Sequence, residues 1–469
     1  MAGELKIAAT SAASPTTVSE LFAKAIEQHQ AGRMERAIEL YRHLVTQYPG
    51  YAPAWNNLGV ALRAAEKFAA AASALRRGTA ISPEDAGAWS NLGNALRAIG
   101  EYDEAARAHE TSLEIDPEAG RVHYNLALVR RDLGDLDAAL KGFAEAEGRG
   151  FKSSEMFWDR ALTYLVSGDL ARGFREYEWR WQLPESPPRF SEIETWGGQP
   201  FDDKTLLVHM EQGFGDAIQF LRYLPMAVAR GGRVICECPP PLMRLVRNSA
   251  VAADIELFEQ GTPAPSADLQ IPLLSLARVF ETTLDTIPNN GPYLQSLADG
   301  PKLQVSSDGP RVGLVWAGKP THKNNRNRSI ALETMLPLLE MPEIRFVGLQ
   351  KGDGSDQPQR LGADALVVNI GERMRDFADT ASILEQLDLL VSVDTSVVHL
   401  SGALGTPAWA LIPYSPDWRW LYGRDDTPWY DSVRLFRQTK PGDWPEVLDR
   451  VRDALSQFAD AFEKNKSKN

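Results

Sequence analysis

Residues 55–63, Trp55-Asn56-Asn57-Leu58-Gly59-Val60-Ala61-Leu62-Arg63, return at 89–97 as Trp89-Ser90-Asn91-Leu92-Gly93-Asn94-Ala95-Leu96-Arg97. They return again at 123–131 as His123-Tyr124-Asn125-Leu126-Ala127-Leu128-Val129-Arg130-Arg131. The step is 34 residues, and it extends outward through Ala37, Ala71, Ala105, Ala139 and Gly173. Pro49, Pro83 and Pro117 close three successive units, and Gly100, Gly134 and Gly168 mark the turn between the helices of later ones. A small residue lets two helices approach closely, and proline cannot continue a helix. Each unit buries its apolar face only against its neighbours, so several are needed. The pattern predicts about five helix pairs over residues 17–182, the last of them atypical.

A period of 34 with Trp-x-x-Leu-Gly, then Ala, then Pro resembles the tetratricopeptide repeat. Two polar ladders run through it: Asn57, Asn91 and Asn125 at one position, Arg63, Arg97 and Arg131 at another. Six residues apart on a helix is roughly 240° of rotation, so the ladders line different stripes. The asparagines resemble the ladder that lines the superhelix of O-linked N-acetylglucosamine transferases and grips acceptor backbone. That resemblance implies acceptor binding by Asn57, Asn91 and Asn125, for which an amide, at once donor and acceptor, is suited.

The chain has 469 residues and a formal net charge of -13, which argues against a general nucleic-acid binder. Residues 1–16 read as a disordered N-terminus without a secretory signal. No stretch approaches the ~20 apolar residues of a membrane span. The two cysteines, Cys236 and Cys238, share one face of a strand-like run and have no second ligand pair for zinc. They read as structural thiols, and the expected location is cytoplasmic.

Residues 183–203, with Pro184, Pro187, Pro188, Gly197, Gly198 and Pro200, read as a linker. Short apolar runs then alternate with helical patterns, which predicts parallel sheets with helices on both faces. Strands are expected at 206–210, 234–238, 255–258 and 269–271, with helices at 216–230 and 241–248. A second series of strands is expected at 312–316, 346–350, 366–370, 389–393 and 409–412. The expected fold is an all-α repeat solenoid followed by a two-lobed, Rossmann-like α/β domain. Its lobes are residues 204–305 and 306–458, and 459–469 form a disordered tail.

Three stretches carry candidate chemistry. Glu211-Gln212-Gly213-Phe214-Gly215-Asp216 follows the first strand and opens a helix. Gly213 and Gly215 admit close backbone approach. Asp216 is either a general base or a helix cap. Trp316 to Ser329 follows the first strand of the second lobe and concentrates Lys319, His322, Lys323, Arg326 and Arg328, a pattern suited to phosphate. Asp394-Thr395-Ser396 ends a buried strand where a helix begins, with His399 in its first turn. Ligands of open α/β sheets lie outside such strand ends.

Together these stretches resemble the GT-B glycosyltransferases, above all the heptosyltransferase-like family and the O-linked N-acetylglucosamine transferases. Gly215-Asp216 matches an acid/base carboxylate, Arg326 and Arg328 a donor-phosphate loop, and Asp394-Thr395-Ser396-Val397-Val398-His399 a donor-binding helix start. Pro416-Asp417-Trp418-Arg419-Trp420, with Arg424 and Pro428-Trp429-Tyr430, resembles repeat-fused bacterial members. Ser396 departs from the usual glycine. The resemblance implies an inverting, metal-independent enzyme that needs no cofactor and uses a nucleotide sugar as co-substrate. Asp216 would be the base. Gly213, Gly215, Trp316, Lys323, Arg326, Arg328, Ser329, Gln350, Asp394, Thr395, Ser396 and His399 would bind the donor. The acceptor hydroxyl would belong to Ser or Thr of a protein held by the repeats, such as flagellin. The competing readings are a non-catalytic repeat scaffold with degenerate lobes, and a sugar-nucleotide epimerase.

Overall fold

The computed structural model describes residues 17–305 and 309–466. The stretch expected to be disordered, 1–16, lies outside them. The chain forms two compact units, one ending at Lys152 and one beginning at Ser153.

The first unit holds four helix pairs: α1 (Val18–Gln30) with α2 (Met34–Gln47), α3 (Ala52–Ala64) with α4 (Phe68–Ile81), α5 (Ala86–Ala98) with α6 (Tyr102–Ile115), and α7 (Gly120–Asp132) with α8 (Leu136–Gly148). Thr17 and Glu20 close a capping box at the first helix. The repeat period has a direct structural cause. The indole N–H groups of Trp55 and Trp89 donate to the carbonyls of Pro49 and Pro83 at 2.9 and 2.8 Å. His123 takes the place of tryptophan and its Nε2 makes the same bond to Pro117 O at 3.0 Å. The repeat glycine is equally constrained. A Cβ on Gly59 would lie 2.3 Å from Leu75 Cγ. In the fourth pair Ala127 occupies the glycine position, and the opposing position, alanine in earlier pairs, becomes Gly142. A Cβ on Gly142 would lie 3.0 Å from Ala127 Cβ, so the loss of space on one helix is offset on its partner.

His109 stands where the preceding repeat has Leu75, fully buried, with neither ring nitrogen hydrogen-bonded. Burial, assisted by Arg97, pulls its pKa down to about 4. The unfolded chain takes a proton near pH 6.5, whereas the folded unit does not until about pH 4. Stability is therefore retained above pH 6.5 and lost as pH falls from there toward 4. His109→Leu is expected to stabilise the repeats by about 1–3 kcal/mol and to flatten that acid sensitivity. Denaturant melts at several pH values check this; equal acid sensitivity in both proteins would oppose it.

The second unit opens with a fifth helix pair, α9 (Ser154–Val166) and α10 (Leu170–Glu176), and a 3-10 turn over Tyr177–Gln182. The first lobe contains β1 (Glu194–Thr195), β2 (Thr205–His209), α11 (Phe214–Phe220), α12 (Leu224–Val228), β3 (Arg233–Cys238), α13 (Pro240–Arg247), β4 (Ile255–Glu259), β5 (Leu269–Pro272) and α14 (Leu276–Val279). The second contains β6 (Arg311–Val315), α15 (Asn325–Arg328), α16 (Leu332–Leu339), β7 (Arg345–Gly348), α17 (Gln357–Leu361), β8 (Val367–Asn369), α18 (Phe377–Leu384), β9 (Leu389–Val393), α19 (Ser396–Leu404), β10 (Ala408–Ile412), β11 (Val433–Arg437) and α20 (Trp444–Lys466). The strand orders are β1-β5-β2-β3-β4 and β11-β10-β9-β6-β7-β8, and every pairing is parallel. Parallel sheets are covered on both faces, and all five residues of β9 are accordingly buried.

Four expectations change. The compact unit begins one helix pair before the end of the repeat pattern at residue 182. Residues 183–203 are woven into the first lobe: Glu194 and Thr195 pair with β5, Trp196 is fully buried, and Arg189 bonds Glu237 at 2.6 and 2.8 Å. The tail expected to be disordered from 459 continues α20 to Lys466, with Ala459 buried in the second core; 467–469 lie outside the described residues. The helix expected over 216–230 is interrupted between α11 and α12, where Pro225 cannot supply an N–H. Cys236 and Cys238 are free and buried.

Candidate functional site

In each sheet the chain leaves its first long strand in one direction and later returns to its other side. The first sheet reverses between β2 and β5, the second between β6 and β9. Such switch points open a crevice outside the carboxyl ends of the strands. The loop after β2 is Met210 to Gly213, that after β6 is the basic stretch, and that after β9 is Asp394-Thr395. All three candidate stretches thus lie at the switch points.

The lobes meet there. Glycine at 215 is required because a Cβ would lie 2.8 Å from His399 Cδ2 and 3.4 Å from Ser396 Cα. Asp216 accepts the Gly213 N–H at 2.8 Å, closing the first turn of α11. Its other oxygen is paired with the Arg419 guanidinium of the second lobe. Arg419 also donates to Asp417 at 2.7 Å and to Gln219 of α11 at 2.7 Å, over the face of Trp418. Burial opposes charge on Asp417, but Arg419 outweighs it and the pKa falls. Asp394 is buried, and burial with the Asp417 charge pushes its pKa up to about 6 against the pull of Arg328. Burial lowers the pKa of His322, with Arg328 assisting. The Arg328 Nε is buried without a hydrogen-bond partner.

The surroundings fix this cluster. Arg222 of the first lobe donates to Trp429 O at 2.9 Å and to Tyr293 Oη at 3.1 Å, beneath the rings of Tyr293 and Tyr430. Arg244 of α13 reaches Asp376 at 2.8 Å and Asp379 at 3.2 Å beside α18. Arg180, buried in the turn after α10, holds Glu211 at 2.8 and 3.0 Å, and Tyr177 Oη donates to Gln212 at 3.1 Å. Gln212 (φ 61) and Leu421 (φ 54) are non-glycine residues in left-handed backbone flanking the cluster. Arg437 donates to the carbonyls of Leu421 at 2.9 Å and of Arg424 at 2.6 Å, which holds the second of these turns.

The other expected residues fall into distinct roles. Gly318 N–H donates to Ser329 Oγ at 3.0 Å, and the guanidinium of Arg328 lies against Gly318. Trp316 is fully buried. Gln350 accepts the N–H groups of Trp316 and Ala317 at 3.2 and 3.0 Å and donates to Ala317 O and Asp353 O at 3.1 and 2.9 Å. Trp316 and Gln350 therefore support the loop instead of offering groups to a ligand. His399 is packed under Trp420, its Nδ1 3.0 Å from Tyr430 Oη, and burial pulls its pKa down to about 3. It supplies no positive charge at neutral pH. Lys323 is exposed and pairs with Glu185 at 3.2 Å, whereas Arg326 lies exposed on α15. Thr395 and Ser396 open α19 and are half-buried. A cleft of about 400 Å³ beside the β2 loop is walled by Trp181, Glu185, Arg189, Glu211, Gly213 and Phe214. Its lining comes from the first lobe and the segment preceding it.

In the repeat unit the asparagines link the first helices of successive repeats. Asn91 Nδ2 donates to Asn56 Oδ1 at 3.0 Å and Asn125 Nδ2 lies 3.5 Å from Ser90 Oγ, each 35 residues upstream. Asn57, Asn91 and Asn125 are half-buried.

Arg419 and Asp417 are the residues that the sequence motifs left without a role. The only local signal is the Asp-Trp-Arg-Trp run, and the partner of Arg419 lies 203 residues away.

The chain contains tetratricopeptide repeats: two families described by that name match residues 28–96 and 84–157. Protein FlbA of Caulobacter vibrioides is 28% identical over 331 residues, covering 65% of this chain and 55% of that protein. The chain thus spans about half the length of the curated relative it matches. A match of that length exceeds residues 17–182 and so includes part of the α/β portion. Among solved structures, MamA from Desulfovibrio magneticus is 20% identical, covering 29% of this chain and 77% of that one, with a TM-score of 0.28. The repeat protein TTC0263 of Thermus thermophilus is 17% identical, covering 36% and 93%, with a TM-score of 0.32. Among the described residues, no helix is long and apolar enough to cross a membrane.

Proposed function

We propose that the second unit transfers a sugar from a nucleotide sugar to a hydroxyl acceptor, presented as part of a protein by the repeats. The observation that carries this reading is the pairing of Asp216 from one switch point with Arg419 of the other lobe, which in turn lies beside Asp394 and Arg328. Asp216 takes the acceptor proton as the acceptor oxygen forms its bond to the anomeric carbon. The bond from that carbon to phosphate breaks, and its electron pair leaves on the nucleotide phosphate. Arg326, Arg328 and the N-terminus of α19 compensate the charge that develops there. The cleft beside the β2 loop is the acceptor side. The half-buried amides of Asn57, Asn91 and Asn125 retain hydrogen-bonding capacity for acceptor backbone. A flagellin-like protein is one acceptor to test.

Arg328→Ala is expected to weaken nucleotide-sugar affinity by about 1.5–3 kcal/mol, the range for a hydrogen bond to a charged group. Calorimetry on the full chain checks this, and an unchanged affinity would remove Arg328 from the site. The second reading, a scaffold with degenerate lobes, draws on the ion pair that already occupies Asp216. It predicts no nucleotide-sugar binding at all.

A further inference from the structure

Arg419 is the residue on which both lobes converge. Its guanidinium is buried, and its Nε, Nη1 and Nη2 donate to Gln219, Asp417 and Asp216. A guanidinium carries five N–H groups, so two remain for a further acceptor. Around it stand three carboxylates, Asp216, Asp417 and Asp394, against two arginines, Arg419 and Arg328. A phosphate entering this group meets more negative than positive charge. The balance is restored when one carboxylate loses its charge.

We propose that Arg419 binds the phosphate of the donor and of the departing nucleotide, and that its pairing with Asp216 ties this binding to the state of the base. Before transfer, Arg419 is paired with Asp216. As Asp216 takes the acceptor proton it becomes neutral and its hold on Arg419 weakens. At that moment negative charge grows on the leaving phosphate, and the guanidinium turns its N–H groups toward it. Arg419 thus follows the negative charge from one lobe to the other, with one proton gained by Asp216 and one electron pair gained by the phosphate. The inference rests on the transferase reading above and adds to it the coupling between base and leaving group.

The coupling has a counter-intuitive consequence. Asp216→Asn imitates the neutral base, preserves the cap on Gly213 and leaves Arg419 its bonds to Asp417 and Gln219. Nucleoside diphosphates (ADP, CDP, GDP and UDP) are titrated into the full chain by calorimetry. Whichever of them the wild type binds is expected to bind Asp216→Asn roughly 5-fold or more tightly, the lower end of typical coupling between linked sites. Arg419→Lys, which keeps the charge but loses the fork, is expected to weaken it by roughly tenfold or more. In the Arg419→Lys background, Asp216→Asn should tighten binding by less than it does in the wild type, because the released fork is missing. Unchanged or weaker binding by Asp216→Asn in a wild-type background overturns the role of Arg419 and leaves the transferase reading standing. Failure of the wild type to bind any nucleoside diphosphate overturns both.

Discussion

Asp216→Asn is expected to lower sugar transfer by roughly 10²–10⁴-fold, the range for removing a general base. The protein should stay folded. Asparagine caps a helix about as well as aspartate, and the Gly213 N–H keeps its acceptor. Arg419 retains Asp417 and Gln219, so the buried cation is not left without partners. Turnover and melting temperature measured on the same preparation separate the two roles of Asp216. Near wild-type turnover with normal stability would make Asp216 a cap and an ion-pair partner only.

Arg180→Met is expected to destabilise the second unit by about 3–5 kcal/mol, the usual cost of stranding one member of a buried ion pair. The side chains of Arg180 and Glu211 are 2% and 7% exposed, so water cannot replace the lost contact. Burial already holds the Glu211 carboxyl above the ordinary glutamate range, against the pull of Arg180. Without Arg180 the pKa rises further. A carboxyl whose pKa is raised on folding binds more protons folded than unfolded, so stability falls as pH increases. The variant should therefore be least stable at neutral and alkaline pH and partly recover toward pH 5. A pH-independent loss below about 1 kcal/mol would contradict this. The same contacts set where the chain can be divided. A chain beginning at Ser153 keeps Arg180, Tyr177 and the packing of Phe174 against Phe220 and Trp418. A chain beginning at Leu183 loses them all.

The repeats were legible because their geometry is local. A tryptophan or histidine six residues after a proline, and a glycine facing a large side chain, recur within one unit and repeat in the next. Strand positions were legible to within about two residues because parallel strands are continuous apolar runs. Short β1 escaped because only two residues pair, in a stretch whose prolines read as a linker. Strand β11, Val433–Arg437, escaped because Arg434 interrupts its apolar run. Trp316, Gln350 and His399 lie in the expected loops and helix, yet motif position alone could not show which way they face. Burial turned all three inward. Arg419 was invisible for the opposite reason: its role depends on a partner in the other lobe, and no spacing along the chain encodes that meeting.

Transfer itself is measured by incubating the full chain and its Asp216→Asn variant with a panel of nucleotide sugars and a protein acceptor, following nucleoside diphosphate release and acceptor mass. The wild type is expected to consume one class of donor and add the corresponding sugar mass, while the variant binds nucleoside diphosphate but transfers roughly 10²–10⁴-fold more slowly. Folded wild-type protein that neither binds nor consumes any member of the panel would contradict the transferase reading.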